Sequence, residues 1–579
     1  MKKLIYLVSI LLLCTGCENF LNTQSYTQKN SETFPKTDAD ATQMLTGVYS
    51  VLNAATAANV TSSYFLTAEL ACDDRFGGGG ANDKLAQANC QLLYTDRNEF
   101  EAFWQQHYLG IARTNAAIAA LDNMPEGDIK NQKMGEAKFL RAFFYFELVQ
   151  LLGDVPLMKA APENVQQAKE SPPQASQDSI YIQVATDLWD AYTNMPSVKW
   201  NAVVSGTITK WAAAGLLARV YLFYTGFYDK TSLPMEGGEI TGQQVAAALK
   251  DCIDNSGHSL VPDYRSLWPY TNSLTKKDYP YAKDADTWVK DGANPEQVFA
   301  VKMSTTASWS TTTGYSNQYC LFFGIRAGGG WTDEYKNVFP IGQGWGFGPV
   351  NTNLWNQWLA DEPSDIRRMA SIYNQANECT GTYMYGADSQ MEETGLWQKK
   401  IVATTAYGKG GDPNALWNSF SNAPDYYNRT DDDFQISFAT DLTLIRYADI
   451  LLMYSELTKT ADGINAVRAR VGLPAIAAYS DDALRKERRY ELAFEGVRWG
   501  DIRRWGIAEQ ALSTKFGVPI HNQGVATTMK PQGVGAVARY QATNGFFLIP
   551  QQEIDLANGN LKQNAGWGTD AIFNAWVDN

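Results

Sequence analysis

Histidine is almost missing from this 579-residue chain. Only His107, His258 and His521 occur, and they are scattered. No H-E-x-x-H motif and no second histidine at ligand spacing exist, which excludes a His-rich metal site. No G-x-S-x-G nucleophile elbow is present. Ser273-Leu-Thr-Lys276 fits S-x-x-K, but the companion S-D-N and K-T-G motifs are absent, so acyl chemistry is not indicated. Gly342-x-Gly-x-Gly-x-Gly348 is rich in glycine, yet no strand–helix unit surrounds it to make a phosphate cradle.

Positive charge is also short, with 48 Lys and Arg against 62 Asp and Glu. A chain of net charge −14 cannot release counterions from a phosphate backbone, so nucleic acid is excluded as a partner. Cysteine is sparse. Apart from Cys14 and Cys17, only Cys72, Cys90, Cys252, Cys320 and Cys379 remain. Their odd number and wide spacing exclude a disulfide framework and leave room for one bridge, Cys72–Cys90. A membrane-spanning run is missing too, because Leu4–Leu13 falls far short of the ~20 residues that a bilayer requires.

That short run has another reading. Lys2 and Lys3 precede it and Cys14-Thr15-Gly16-Cys17 follows, the layout of a secretory signal. Small residues before a cysteine resemble a bacterial lipobox, although Cys14 stands where the lipobox prefers Leu. The expectation is a signal peptide over residues 1–16, cleavage after Gly16 and lipid on Cys17. Export would remove Lys2 and Lys3 and move the net charge from −14 to −16. With no basic patch, the lipid would be the membrane anchor.

What the chain has is aromatic and helical. Aromatics make up 12% and charged residues 19%, the composition of a folded protein. Leu45, Val48, Tyr49 and Leu52 recur at helical spacing after Asp38. Residues 134–152 are apolar on nearly every side, so that helix must be buried on most faces, and Gly153-Asp-Val-Pro stops it. Residues 211–224 carry small side chains where a neighbouring helix would approach. Trp211, Gly215 and Ala218 give a loose tetratricopeptide likeness without a strict period. Helical signal returns at 442–457, 464–471 and 482–505. Between them, Gly, Pro, Asn, Thr and aromatics dominate, and residues 264–358 hold seven of the seventeen tryptophans. Long loops of this kind are usually functional surface. The expected layout is one unit over 17–579. It has a helical scaffold at about 38–228 and 436–510, a loop-rich region at about 229–435, and a loop-rich end at 511–579.

Several motifs together resemble the SusD/RagB family of outer-membrane nutrient-uptake lipoproteins. They are Gly135-Glu-Ala-Lys-Phe-Leu-Arg-Ala-Phe-Phe-Tyr-Phe with Gly153-Asp-Val-Pro-Leu, and Ile445-Arg-Tyr-Ala-Asp-Ile-Leu-Leu-Met-Tyr-Ser-Glu. Ile464-Asn-Ala-Val-Arg-Ala-Arg-Val-Gly-Leu-Pro and Glu487-Arg-Arg-Tyr-Glu-Leu-Ala-Phe-Glu-Gly-Val-Arg-Trp-Gly-Asp-Ile-Arg-Arg follow, then Ile549-Pro-Gln-Gln-Glu-Ile and Asn564. Phe20-Leu-Asn and Thr46-Gly-Val-Tyr-Ser also match, so the likeness runs from residue 17 to about 567. One departure is Ser455-Glu-Leu-Thr, where the family usually has Ala-Glu-Ala followed by Asn. The resemblance implies an all-α fold of tetratricopeptide-like helix pairs whose loops present a ligand site. It implies attachment to the outer leaflet of the outer membrane, above a SusC-like TonB-dependent transporter, with an oligosaccharide or in some members a peptide as cargo.

The charged residues in those motifs read as scaffold. Arg446, Asp449, Glu487, Arg488, Glu491, Glu495, Arg498 and Asp501 lie at spacings suited to ion pairs along helices. Sugar recognition has different needs. Pyranose C–H faces stack on aromatic rings while the hydroxyls take hydrogen bonds from polar neighbours, so exposed aromatics on rigid loops are required. Asp73, Asp74 and Arg75 before Gly77–Gly80 offer acceptors and a forked donor. Trp331 and Tyr335 follow Gly328-Gly-Gly, Trp268 and Tyr270 flank Pro269, and Trp345 sits in Gly-Trp-Gly-Phe-Gly. Trp355 and Trp358, three apart on an expected helix, read as core. A glycoside hydrolase would need paired carboxylates, for which Asp73-Asp74, Glu392-Glu393 and Asp431–Asp433 qualify by composition alone. The Asp431–Asp433 run could also hold a calcium ion. The expectation is non-covalent glycan binding with no cofactor and no catalytic residue. Peptide capture is the alternative, and a surface hydrolase the more distant one.

Overall fold

A computed structural model describes residues 34–578 apart from 59, 163, 165–166, 168–171, 305–315, 327–333, 409–410 and 417–437. Ten helices carry the scaffold: α1 Asp38–Asn53, α2 Glu101–Leu121, α3 Asp128–Leu152, α4 Gln177–Asn194, α5 Lys210–Phe227, α6 Gly242–Asn255, α7 Tyr447–Thr458, α8 Asp462–Arg470, α9 Asp481–Glu491 and α10 Arg498–Arg504. From α2 to α8 each helix packs on the next. This is the tetratricopeptide-like all-α arrangement, continued across the long excursion between α6 and α7. The loop-rich stretch thus begins after Asn255, later than the composition indicates.

Local chemistry fixes the ends of these helices. Thr37 and Asp40 form a capping box on α1, Thr241 and Gln244 another on α6, and Thr209 caps α5. Gly153, at φ +73°, ends α3 as its sequence predicts. Beyond it, Asn564 donates through Nδ2 to the carbonyls of Leu152 (2.8 Å) and Phe547 (2.6 Å). That motif residue therefore clasps the C-terminal segment to the end of α3.

α3 is buried on almost every side from Gly135 to Leu152, as its apolar pattern requires. Each large side chain buried there contributes about 1.5–3 kcal/mol. Close approach depends on glycine. A Cβ at Gly110 would lie 2.5 Å from the Phe144 ring, and one at Gly215 would lie 2.9 Å from Ile450, so these positions set the α2–α3 and α5–α7 contacts. Trp358 is fully buried and stacks on Tyr490 at 4.5 Å, in keeping with a core role, whereas Trp355 is half-buried beneath Arg368.

Two helical expectations need correction. Leu442–Arg446 is a strand, β2, paired antiparallel with β1, Gln297–Val301; the helix starts only at Tyr447. The 482–505 pattern breaks between α9 and α10, where Phe494 (φ +66°) and Gly496 (φ +75°) turn the chain. The break brings Glu491 and Glu495 to the same cation. Arg446 donates to Glu495 at 2.7 Å, Glu296 at 2.7 Å and Glu491 at 3.0 Å. Arg470 pairs with Glu296 and Glu491, Arg367 with Asp365, Glu487 and Glu491, and Lys400 with Glu495. Arg488 bridges Asp449 and Asp501. The motif charges are scaffold, but most of their pairs join different elements and few run along one helix. No Cys72–Cys90 bridge forms; all five described cysteines are thiols.

Candidate functional site

The strongest candidate surface rests on glycine. Residues 341–347 are laced to 321–325 by backbone bonds from Gly344 to Ile325, Trp345 to Leu321, Gly346 to Gly324 and Phe347 to Phe322, all of 2.8–3.0 Å. A Cβ on Gly344 would lie 2.3 Å from the Gly324 Cα, so only glycine permits this approach. Gly346, at φ +72°, turns the chain beside it. The lacing holds Trp345 half-buried with its ring 4.9 Å from Phe322. Arg326 donates to the Trp345 carbonyl and pairs with Asp83 and Asp388. A half-buried indole on fixed backbone, with a guanidinium on its own carbonyl, has the form that sugar stacking requires.

A second feature on the loop-rich layer is a cavity of about 50 Å³ lined by Trp268, Trp288, Asp291, Asn317, Lys400 and Arg446, among others. Trp268 is 8% exposed and packs with Tyr264 and Tyr270 in a small aromatic core. Lys400 Nζ lies 4.9 Å from its ring and the Arg446 guanidinium 5.8 Å. Its indole N–H has no protein partner. Asp291 accepts a bond from the Asp441 amide at 2.9 Å, and Asp441 pairs with Lys302. Burial and the neighbouring Asp441 carboxyl push Asp291 well above the usual carboxylate range. Lys400 is drawn down to about 8 by burial, against the pull of Glu495.

The Asp73–Arg75 expectation is overturned, because all three side chains point into the protein. Arg498 binds both Asp73 oxygens at 2.8 Å, and Arg489 donates to Asp74 from Nε at 2.8 Å. Burial pushes the Asp73 carboxyl up, yet Arg498 and Arg489 outweigh it and hold the group below its usual range. Arg75 is fully buried, donating to Glu69 at 2.8 Å and the Gly348 carbonyl at 2.9 Å, with its guanidinium 3.9 Å from the Phe323 ring centre. These charges lock a loop to the scaffold. Tyr270 is likewise corrected. It is fully buried and its hydroxyl donates to the Ala370 carbonyl, so no ring face is offered to a ligand. Trp268 reaches only the wall of the small cavity.

Trp331, Cys17 and Asp431–Asp433 lie outside the described residues. Tyr335 sits in a helical turn, Glu334–Asn337. Glu392 is buried and accepts from the Gly77 and Gly78 amides, while Glu393 accepts from Tyr383 and Gly386. Both hold loops together rather than face a cleft. Among the described residues no group of three or more His, Cys, Asp or Glu could hold a metal ion.

Trp288, Asp291, Asp441, Lys400 and Arg326 were not singled out from sequence. The tryptophan-rich stretch points toward Trp288. No local spacing marks the other four, because β-pairing and loop lacing bring them together.

The comparisons agree with this architecture. A family model described as "SusD family" matches residues 285–567, and one described as "Starch-binding associating with outer membrane" matches residues 19–222. A SusD-like protein P2 from Formosa agariphila is 24% identical over 97% of this chain and 99% of its own. A SusD-like protein from Bacteroides ovatus is 22% identical over 74% of this chain and 70% of its own. Among solved structures, a laminarin binding SusD-like protein is 25% identical, with a TM-score of 0.67 over 92% of this chain and all of that one. Surface glycan-binding protein A from Bacteroides thetaiotaomicron, solved with laminarihexaose, shares the fold at 18% identity and a TM-score of 0.65, covering 91% and 99%. With helices stacked in order, ion pairs drawn from the shared motifs and two family models spanning most of its length, the chain belongs to the SusD family.

Proposed function

We propose that this protein is a cell-surface lipoprotein, anchored through Cys17, that binds a nutrient oligo- or polysaccharide without breaking a bond. It then passes the glycan to a SusC-like TonB-dependent transporter of the outer membrane. The observation that carries the reading is Trp345, held half-buried on glycine-laced backbone with Arg326 bonded to its carbonyl. Trp331 and Tyr335, nearby in sequence, are proposed to extend the aromatic surface. One solved relative is named as laminarin binding, which puts laminarin first in the panel to be tried.

Native affinity electrophoresis of the mature chain across a polysaccharide panel tests this reading. Retardation by one polymer is expected. Trp345→Ala should weaken it by about 1–3 kcal/mol, or roughly 5- to 150-fold, the range for losing an aromatic anchor. Retardation equal to that of the parent chain would remove Trp345 from the site. Migration unaffected by every polymer would move the reading to peptide capture.

One observation favours a hydrolase as the second reading. Asp291 and Asp441 both line a tryptophan-bearing cavity, the Asp441 amide donating to Asp291, and burial together with the Asp441 charge pushes Asp291 up to about 8. A glycosidase uses such a pair as acid and base. Lys302 already neutralises Asp441, which suits a structural pair better. Purified protein is expected to release no new reducing ends from any polymer it binds. Release that disappears in Asp291→Asn would establish the hydrolase instead.

A further inference from the structure

On the other side of residues 291–294 lies a separate cavity of about 110 Å³, between the loop that enters α5 and the start of β1. It is lined by Trp200, Ser205, Thr207, His258, Asn294 and Gln297, with Val204 at the edge, 81% exposed. Its lining thus combines hydroxyl and amide side chains with an apolar wall that includes Val298 and Phe299.

His258 gives the cavity its character. The ring is 6% exposed and lies between Trp200, stacked at 5.7 Å, and Tyr447, stacked at 6.4 Å. Nδ1 lies 2.8 Å from the Pro295 carbonyl oxygen. A carbonyl only accepts, so Nδ1 carries the proton and Nε2 presents a lone pair. With the ring faces covered and the Nδ1 edge tied down, the Nε2 edge is what the ring offers the cavity. Nε2 is buried and has no partner within the protein. Burial also draws the imidazole down to about 4, which keeps it neutral at ordinary pH.

A bare buried acceptor is destabilising unless something donates to it. We propose that this cavity is a binding site for a neutral, hydroxyl-rich ligand no larger than one sugar ring. One ligand hydroxyl would donate to His258 Nε2, and Ser205, Thr207 and Asn294 would serve the others. A cation is disfavoured because no carboxylate lines the cavity. An anion is disfavoured because the lone pair would face it. The site stands apart from Trp345 and does not require the Trp345 surface to bind glycan.

The scarcity of histidine makes the test direct, since only His107 and His521 share the spectrum. The mature chain, labelled with ¹⁵N-histidine, would be titrated with methyl glucoside, methyl galactoside and glycerol to about 100 mM, enough to saturate a millimolar site. A saturable upfield shift of His258 Nε2 is expected, with His107 unmoved. Ser205→Leu, a change on the exposed rim, should abolish that shift without touching the ring. Trp345→Ala should leave it intact, so failure here and failure of the glycan surface are separately visible. A His258 resonance unmoved by all three probes would mean that the cavity holds water only and would overturn the proposal. A shift that survives Ser205→Leu would overturn it equally, because the ligand would then bind elsewhere.

Discussion

Arg446→Ala is expected to destabilise the protein by about 3–5 kcal/mol, the range for removing one partner from a buried ion pair. Arg446 is 3% exposed and meets Glu296, Glu491 and Glu495. Without it, those three carboxylates retain Arg470, Arg367 and Lys400, and Arg367 is already shared with Asp365 and Glu487. Removing Arg446 therefore leaves the buried cluster one positive charge poorer, with no spare cation to replace it. Glu491 shows how much the cations contribute. Burial pushes its carboxyl up, yet Arg470, Arg446 and Arg367 together hold it well below the usual range. Urea denaturation at neutral pH would measure the loss, and Arg446→Ala combined with Glu491→Gln should recover part of it. A loss below about 1 kcal/mol, the size of an exposed pair, would show that water or rearranged cations take over. Arg446 also stands over Trp268 and lines the small cavity, so the variant should loosen that wall as well.

The same residue marks how far the sequence could be read. Arg446 and Glu491 were legible as scaffold, because acids and bases recurring on apolar helices must be paired once buried. Their partners were not legible. Glu296 is 150 positions away from Arg446 and reaches it only through β1–β2 pairing, which the apolar run Leu442–Ile445 disguises as helix. The helices themselves followed from periodicity and from glycines such as Gly215, whose need for close packing shows in the small side chains around it. Asp73, Asp74 and Arg75 misled for a physical reason. A polar triplet before four glycines looks like an exposed loop, whereas Arg489 and Arg498, more than 400 residues away, draw it inward. Trp345 stays half-buried, and the glycine alternation around it reports the backbone lacing directly. Trp268 and Tyr270 show the converse, since aromatic density alone does not separate an open ring from a satellite core.

Stability is expected to peak near pH 5 and to fall by several kcal/mol toward pH 8. Burial pushes Glu99 up to about 8, and Glu392 and Glu393 each to about 7. In the unfolded chain these groups release their protons near pH 4.3. Between that value and 7–8 the folded state binds more protons, so each group contributes stability that is lost as pH rises. Each proton in the difference is worth about 1.4 kcal/mol per pH unit. His258 works the other way. Its folded value near 4 lies below the unfolded 6.5, so it favours higher pH, but it is one group against these three and Asp291, which burial raises in the same way. Below pH 4 the balance reverses. Asp449, held to about 2 because Arg219 and Arg488 overcome its burial, and Glu491, held low in the same manner, stay ionised while the unfolded chain takes up protons. Their stability is lost as pH falls. Denaturation midpoints from pH 3 to pH 8.5 at constant ionic strength would trace the curve. Glu392→Gln keeps an oxygen to accept from the Gly77 and Gly78 amides and should flatten the descending limb by about one proton. A stability that rises steadily from pH 5 to pH 8 would mean that Glu99, Glu392 and Glu393 ionise freely in the folded protein. Their burial would then be relieved by water.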